Sequence, residues 1–336
     1  MNTKKIGSQT IKFSTPPSIK ETASIVGPKE GKGPLSKYFD IVLEDELWGE
    51  DSWEKAESKM AKETVGKLIA KSNISHNNID YIFAGDLLNQ CISSSFGLRE
   101  FNTPFFGLYG ACSTIVEAMS LAAIMIDGNY ANNIIATTSS HFCSAEKQFR
   151  FPLELGNQRP QSAQWTVTGT GAILLTKSNE GPFVTHITTG KIVDMGVKDA
   201  NNMGAAMAPS AIDTLQVHFE DTKRLPSYYD LIISGDLGYI GKDITIELLN
   251  SKGYNIKNNF NDCGVLIFNK EKQDTHSGGS GCGCCASVFS GYLYNCMKIG
   301  KYKKILLMGT GALMNSTTSQ QGESIPGIAH AISIEV

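Results

Sequence analysis

Ile82-Phe83-Ala84-Gly85-Asp86-Leu87 and Ile232-Ile233-Ser234-Gly235-Asp236-Leu237 are two copies of one motif, and their offset of 150 residues decides the fold. Each copy follows a Tyr/Asp pair, Asp80-Tyr81 or Tyr229-Asp230, and ends an apolar strand, as expected where a strand meets a functional rim. After each copy comes a glycine-rich turn into a helix, then an apolar strand, then a final strand. In the first half these are the Gly110 turn, a helix over 113–127 and strands over 133–138 and 172–177. In the second they are the Gly278 turn, a helix over 286–299 and strands over 304–308 and 331–336. Short apolar strands alternating with helices imply mixed, helix-covered sheets, and the duplication implies two such sheets packed pseudo-symmetrically. The expected fold class is α/β, a duplicated five-layered α-β-α-β-α architecture. Its N-terminal half covers 1–180, with an insertion at about 143–165, and its C-terminal half covers 181–336.

The chemistry is concentrated in the first glycine turn, Gly110-Ala111-Cys112-Ser113-Thr114, which leads into Ile115-Val116-Glu117-Ala118-Met119. Pro104-Phe105-Phe106-Gly107-Leu108 before it reads as a short buried strand, so Cys112 is expected where unpaired backbone N–H groups and a helix dipole converge. That placement favours a thiolate, and the same N–H groups can hold an anion without any chemistry. Plain packing of a small apolar side chain is the other reading of this cysteine. Between Cys143 and Trp165 the insertion interleaves Lys147, Arg150 and Arg159 with Phe149, Phe151 and Trp165, and a loop that long is usually functional or disordered. Residues 51–72 read as an amphipathic surface helix capped at Asp51-Ser52.

Composition excludes several classes. The 336 residues carry a net charge of -3, with no basic excess to neutralise phosphates, so nucleic acid is not expected as a partner. The eight cysteines lie mostly in apolar or glycine-rich segments behind a start without an apolar signal, which points to reduced thiols in a cytoplasm. Cys282-Gly283-Cys284-Cys285 has no second pair at zinc spacing and reads as a close-packed turn. The apolar run over 118–126 is shorter than a bilayer needs, so it reads as a core helix and no membrane span is expected.

A duplicated α/β chain with cysteine at the head of its third helix resembles the thiolase fold of thiolases and β-ketoacyl synthases. Thr168-Gly169-Thr170-Gly171-Ala172-Ile173-Leu174-Leu175 is similar to the Gly-Asp-Gly-Ala-Gly strand of the ketoacyl synthase III group, and Cys112 matches the acyl-accepting nucleophile. Nearly the whole chain resembles one family in that superfamily, stage V sporulation protein AD. Val26-Gly27-Pro28-Lys29-Glu30-Gly31, Ala84-Gly85-Asp86-Leu87-Leu88-Asn89-Gln90, Ala136-Thr137-Thr138-Ser139-Ser140-His141 and Gln148-Phe149-Arg150-Phe151-Pro152 carry the resemblance. So do Trp165-Thr166-Val167-Thr168-Gly169, Asn202-Met203-Gly204-Ala205-Ala206-Met207-Ala208-Pro209 and Ile325-Pro326-Gly327-Ile328-Ala329-His330. The resemblance implies binding of dipicolinic acid, with or without calcium, for uptake into the developing spore. It also implies membrane-embedded stage V sporulation A (SpoVA) partners, a peripheral place at the spore inner membrane and a twofold homodimer.

Departures from the enzymes of this fold are as informative. Where a ketoacyl synthase III carries His-Gln-Ala-Asn, this chain reads Gly235-Asp236-Leu237-Gly238, and Cys282 stands where the catalytic asparagine is expected. Each missing oxyanion donor commonly costs about 3–4 kcal/mol of transition-state stabilisation, so condensation is expected to be very slow. His141 and His330 either replace the lost relay or plug the pocket floor. An acyltransferase using Cys112, His141 and His330 is thus the alternative to a non-catalytic binder. For a flat diacid the expected ligand-binding set is Cys112, Ser113, His141, Arg150, His330, Asp86 and Asn89, with no cofactor and no resident metal. Asp86 repels a dianion unless calcium or a protonated histidine lies between them, and the plainer reading of Asp86 and Asp236 is bonding to backbone at the strand ends. Lys29–Pro34 and Gly204–Pro209 read as interface or loop shape.

Overall fold

The computed structural model describes residues 4–149 and 159–336. Its large sheet runs, strand by strand, Phe260–Asp262, Leu231–Ser234, Lys304–Ala312, Gly327–Glu335, Phe183–Thr189, Ser18–Val26, Gly169–Thr176, Asn133–Ser140, Tyr81–Gly85, Phe105–Gly107. The order is the same five-strand pattern written twice, outward from the centre. Ser18–Val26 and Gly169–Thr176 pair antiparallel, as do Gly169–Thr176 and Asn133–Ser140, and the two outer pairings are parallel. Phe183–Thr189 and the strands beyond it repeat this sequence of pairings. Only Phe183 opposite Ser18 ties the two sets into one sheet between these central strands.

Helices separate and cover the two sets. On the outside of the first lies α1 (Trp53–Ser72), with α2 (Ile92–Leu98) against it. Between the sets runs α3 (Thr114–Asp127), touching strands of both, and it meets a helix that starts at Cys282. After α4 (Phe142–Phe149) come α5 (Met203–Thr222) and α6 (Gly238–Ser251), and α5 packs on the second set. This is the five-layered duplicated architecture read from the repeat. The apolar face of α3 explains the middle layer: Ile115, Val116, Met119, Ala122 and Ile126 are all fully or almost fully buried.

Helix α1 begins as its sequence indicates, with the Ser52 hydroxyl accepting from the Lys55 amide at 3.3 Å, and it ends on Asn73 in the left-handed region. Ser52→Ala should cost about 0.5–1 kcal/mol in urea unfolding, because the amide loses its acceptor at the helix start. An unchanged midpoint would show that the long bond contributes nothing.

Three local expectations change in the structure. The strand at 105–107 is an exposed edge, with Phe106 52% exposed, because no strand lies beyond it among the described residues. The second-half helix starts at Cys282, four residues early, and continues through a π turn, Phe289–Leu293, to Lys298. Tertiary acceptors make that start: Asp236 Oδ2 takes the Gly281 amide at 3.0 Å and Ser140 Oγ takes the Gly283 amide at 2.9 Å. A side chain at Gly283 would meet the Gly169 carbonyl at 2.1 Å, so the cysteine-rich run is where a helix backbone lies directly on the sheet.

Candidate functional site

The turn before α3 is tight, and its own hydroxyls hold it. Ala111 has φ 49°, Ser113 Oγ donates to the Gly110 carbonyl at 2.6 Å, and Thr114 Oγ1 donates to the Ala111 carbonyl at 2.6 Å. Ser113 is therefore consumed inside the turn, while Cys112 faces a cavity of about 70 Å³. Its apolar lining is Leu87, Ala145, Phe149, Met203, Met207 and Met314, and Cys112 packs in one cluster with Leu87, Ala145 and Phe149. Gln164, Thr166 and Ser280 add polar groups, and Tyr109 and Glu146 complete the lining along with Ala111 and Ala312. Among the described lining residues there is no Lys, Arg or His.

Behind Cys112 stands Asp236, fully buried. Its carboxylate accepts from Thr310 Oγ1 at 2.7 Å, Ser280 Oγ at 2.8 Å and the Gly281 amide at 3.0 Å, and it takes the Cys112 thiol as a further donor. Burial raises the Asp236 carboxyl above its usual range, and these bonds oppose the rise. Burial also pushes the Cys112 thiol well above the ordinary thiol range, and the charge of Asp236 adds to the push. The thiolate expected from the helix start is thus overturned: the carboxylate and the low-dielectric surroundings outweigh the dipole of α3. Cys282 lies alongside and donates its thiol to the Ala111 carbonyl at 3.0 Å.

Of the ligand set expected from the sequence, Cys112 lines the cavity, and the other described members do not. Asp86 is spent on the Leu88 amide at 2.9 Å and on the amide and hydroxyl of Ser94 at 2.8 and 2.7 Å. Buried Glu57 sits near it, held by Ser139 and Ser144, and burial with the Asp86 charge raises its carboxyl. The backbone reading therefore describes contacts of both, since Asp86 accepts the Leu88 and Ser94 amides and Asp236 the Gly281 amide, but Asp236 also takes the Cys112 thiol. Asn89 is exposed, its amide donating to Gln148 Oε1 at 2.9 Å.

His141 Nε2 meets the Glu46 carbonyl at 2.8 Å, which can only accept, so the proton is on Nε2 and Nδ1 accepts the Cys143 amide at 3.2 Å. Burial lowers its pKa, so the ring is a neutral brace between the Glu46 loop and α4. His330 stands on the final strand opposite Gly309, its Nδ1 accepting the Gly190 amide at 3.2 Å, and burial lowers its pKa to about 4. Arg150 lies outside the described residues. Among the described residues no group of three or more His, Cys, Asp or Glu is placed to hold a metal ion.

Sequence reading missed Asp236, Gln164, Ser280 and the methionines. Gly204–Pro209 read as interface or loop shape, yet Met207 within it and Met203 just before it stand four apart on α5, a helical spacing that turns both toward the cavity. Ser280 lies on, and Gln164 immediately precedes, one of two short strands that pair across the two halves, Trp165–Thr166 with Gly279–Ser280.

Comparison with known proteins places this geometry. The family described as Stage V sporulation protein AD (SpoVAD) matches residues 7–335. Stage V sporulation protein AD of Bacillus subtilis (strain 168) is 39% identical over 332 residues, covering 99% of this chain and 98% of that protein. Among solved structures, 3-oxoacyl-[acyl-carrier-protein] synthase III from Aquifex aeolicus VF5 aligns with a TM-score of 0.60 at 13% identity, over 95% of this chain and 100% of that one. A Xanthomonas campestris OleA variant with bound lauric acid and lauroyl-CoA aligns with a TM-score of 0.62 at 13% identity, over 95% and 99%. At such identities the structural likeness concerns the fold alone.

Proposed function

Since the chain belongs to the stage V sporulation protein AD family, we propose that it is a non-catalytic thiolase-fold protein that binds dipicolinic acid, alone or as its calcium complex, for uptake into the developing spore. The observation that carries the non-catalytic reading is Asp236 against Cys112. An acyl-accepting cysteine needs a thiolate, and here the neighbouring group is an anion that keeps the proton on sulfur. Cys282, at the position expected of the catalytic asparagine, has its thiol spent on the Ala111 carbonyl and offers no donor to an oxyanion.

The cavity suits a flat aromatic ligand, since its lining combines Phe149 and three methionines with the hydrogen-bonding groups of Gln164, Thr166 and Ser280. Its charge argues for the calcium complex. A free dianion faces Asp236 behind the thiol, whereas the one-to-one calcium complex carries no net charge. Calorimetric titration with dipicolinate should therefore show binding that is tighter with calcium than without. Parallel incubation with acetyl-coenzyme A should leave the intact mass unchanged. Absence of heat in both titrations would refute the binder, and a mass gain on Cys112 would restore the acyltransferase.

No described helix is long and apolar enough to cross a membrane. In this reading, movement of the ligand across the membrane falls to embedded SpoVA partners, with this protein bound peripherally. Pairing of two copies through the edge strand Phe105–Gly107 is supported by its unpaired backbone and by exposed Phe105 and Phe106.

A further inference from the structure

The turn that follows the helix ending at Lys298 repeats the backbone of the turn that follows α3. Asn129 and Gly300 take the left-handed position after their helices, with φ 61° and 75°. The next amide returns to the carbonyl five residues back in both, Tyr130 to Met125 and Lys301 to Cys296, each at 2.9 Å. Asp80 then accepts the Asn132 and Asn133 amides at 2.7 and 2.9 Å, and Asp230 accepts the Lys303 and Lys304 amides at 2.6 and 2.9 Å. One backbone thus carries two side-chain sets. The first reads Asp127-Gly128-Asn129-Tyr130-Ala131-Asn132-Asn133 and the second Lys298-Ile299-Gly300-Lys301-Tyr302-Lys303-Lys304. Since the first copy forms without a lysine, the turn itself does not require the four of the second.

Those four face water. Lys298, Lys301 and Lys303 are exposed, and Lys304 is half-buried over the Tyr228 ring. Lys298 reaches Glu21 at 3.7 Å and Lys301 donates to the Tyr292 hydroxyl at 2.9 Å; among the described residues Lys301, Lys303 and Lys304 have no ion pair. Ile299, where the first copy has Gly128, is 78% exposed. Glu21 also meets Lys71 at 3.8 Å, so the face continues into a polar groove of about 530 Å³ lined by Lys20, Lys71 and Lys177. Lys304 and Ala312 are the two ends of one nine-residue strand, and Ala312 lines the cavity. The basic face therefore lies roughly 26 Å from the cavity, the length of that strand.

We propose that this turn is where the protein rests on an anionic lipid surface, its lysines over the headgroups and Ile299 entering the boundary beneath them. The inference rests on the reading of the protein as peripheral to a membrane, and it adds the face that makes contact and the lipid charge that attracts it. The whole chain is net negative at -3, so the attraction is local to this face. A basic cluster draws any polyanion, and Ile299 selects among them: an apolar side chain held out in water gains by entering the headgroup layer, whereas a nucleic acid backbone offers it no burial. Tyr292 and Tyr302 beside the lysines suit the same boundary.

Flotation of the full chain tests this, with vesicles of phosphatidylcholine alone or mixed equally with phosphatidylglycerol. Binding should appear only with the mixed vesicles and weaken as salt rises. The pair Lys303→Asn and Lys304→Asn installs the residues of the first copy. Each lysine near an anionic surface is worth about fivefold, so the pair should lose about 25-fold. Ile299→Gly, again the residue of the first copy, should weaken binding at least about twofold at every salt concentration. Lys301→Glu, an exposed change, should also lose at least about fivefold and serves if the pair does not fold. Equal binding to both vesicles, or a folded lysine variant that floats like the parent, overturns the proposal while leaving a peripheral protein that meets lipid by another face. Absence of flotation with either vesicle also overturns it and leaves attachment to partner proteins. Retention of duplex DNA with the same lysine dependence, but none on Ile299, would make the face a nucleic-acid site instead. Dipicolinate titration reads the cavity independently of all these outcomes.

Discussion

Asp236→Ala should lose about 4 kcal/mol of folding stability and, at the same time, make Cys112 reactive. The stability loss follows from the donors it strands. Thr310 Oγ1, Ser280 Oγ and the Gly281 amide all point at one buried carboxylate, and removing the acceptor from such a network costs about 3–5 kcal/mol. The Gly281 amide is also the start of the helix that lies on the sheet, so the loss reaches the middle layer. Asp236→Asn should cost less, because an amide oxygen still accepts part of the set. Reactivity rises for an electrostatic reason: with the anion gone, the Cys112 thiol loses both an acceptor and a like charge that hold its pKa up. Urea unfolding measures the first effect, and the rate of iodoacetamide alkylation of Asp236→Asn at pH 8 measures the second. Unfolding within 1 kcal/mol of the parent, or alkylation no faster than in the parent, would contradict this account of the site.

Stability should also fall as pH rises from 6.5 to 8, by about 3 kcal/mol. Burial raises Glu30 to about 8 and Asp262 to about 7, and it raises Glu57 beside Asp86 as well. Glu30 Oε2 has no partner among the described residues, as suits a protonated carboxyl group. The unfolded chain releases these protons near pH 4, while the folded chain holds them. Their contribution is therefore fully present below pH 4 and is lost as pH rises toward the folded values, at about 1.4 kcal/mol per pH unit for each carboxyl still protonated. Buried histidines act in the opposite sense. Burial lowers His186 to about 4 and His218 to about 3, so they stabilise above pH 6.5 and lose that contribution as pH falls through their folded values. Between about pH 4.5 and 6.5 the two groups offset each other, and above 6.5 only the carboxyls titrate. Melting temperature across pH 5–8.5 tests this, with Glu30→Gln flattening the alkaline side. A melting temperature that stays level or rises from pH 6.5 to 8 would rule it out.

Most of the architecture was legible because it is written in local patterns. The strand at 81–85 and its repeat at 231–234, the capped helix α1 and the apolar helix α3 each declare themselves within a dozen residues. The helix start at Cys282 did not, because its caps are Asp236 and Ser140, far away in the chain. Phe105 and Phe106 have the composition of a buried strand, and only the strand order shows them at an edge.

The candidate site divides in the same way. The glycine turn marks Cys112, and the missing histidine in Gly235–Gly238 marks a departure from condensing enzymes; both can be read from residues in line. His141 and His330 carry the right chemistry in the sequence, yet backbone partners and burial make them neutral braces away from the cavity lining.

By itself the sequence determined the duplicated α/β fold and the place of the cysteine, since apolar period, turn residues and motif order are properties of neighbouring positions. Only the tertiary structure decided that the cysteine keeps its proton, with burial and the Asp236 charge holding it on sulfur. Residues 112, 164, 236 and 280 meet through space from four separate segments, and burial and charge act over ångströms of distance rather than along the chain.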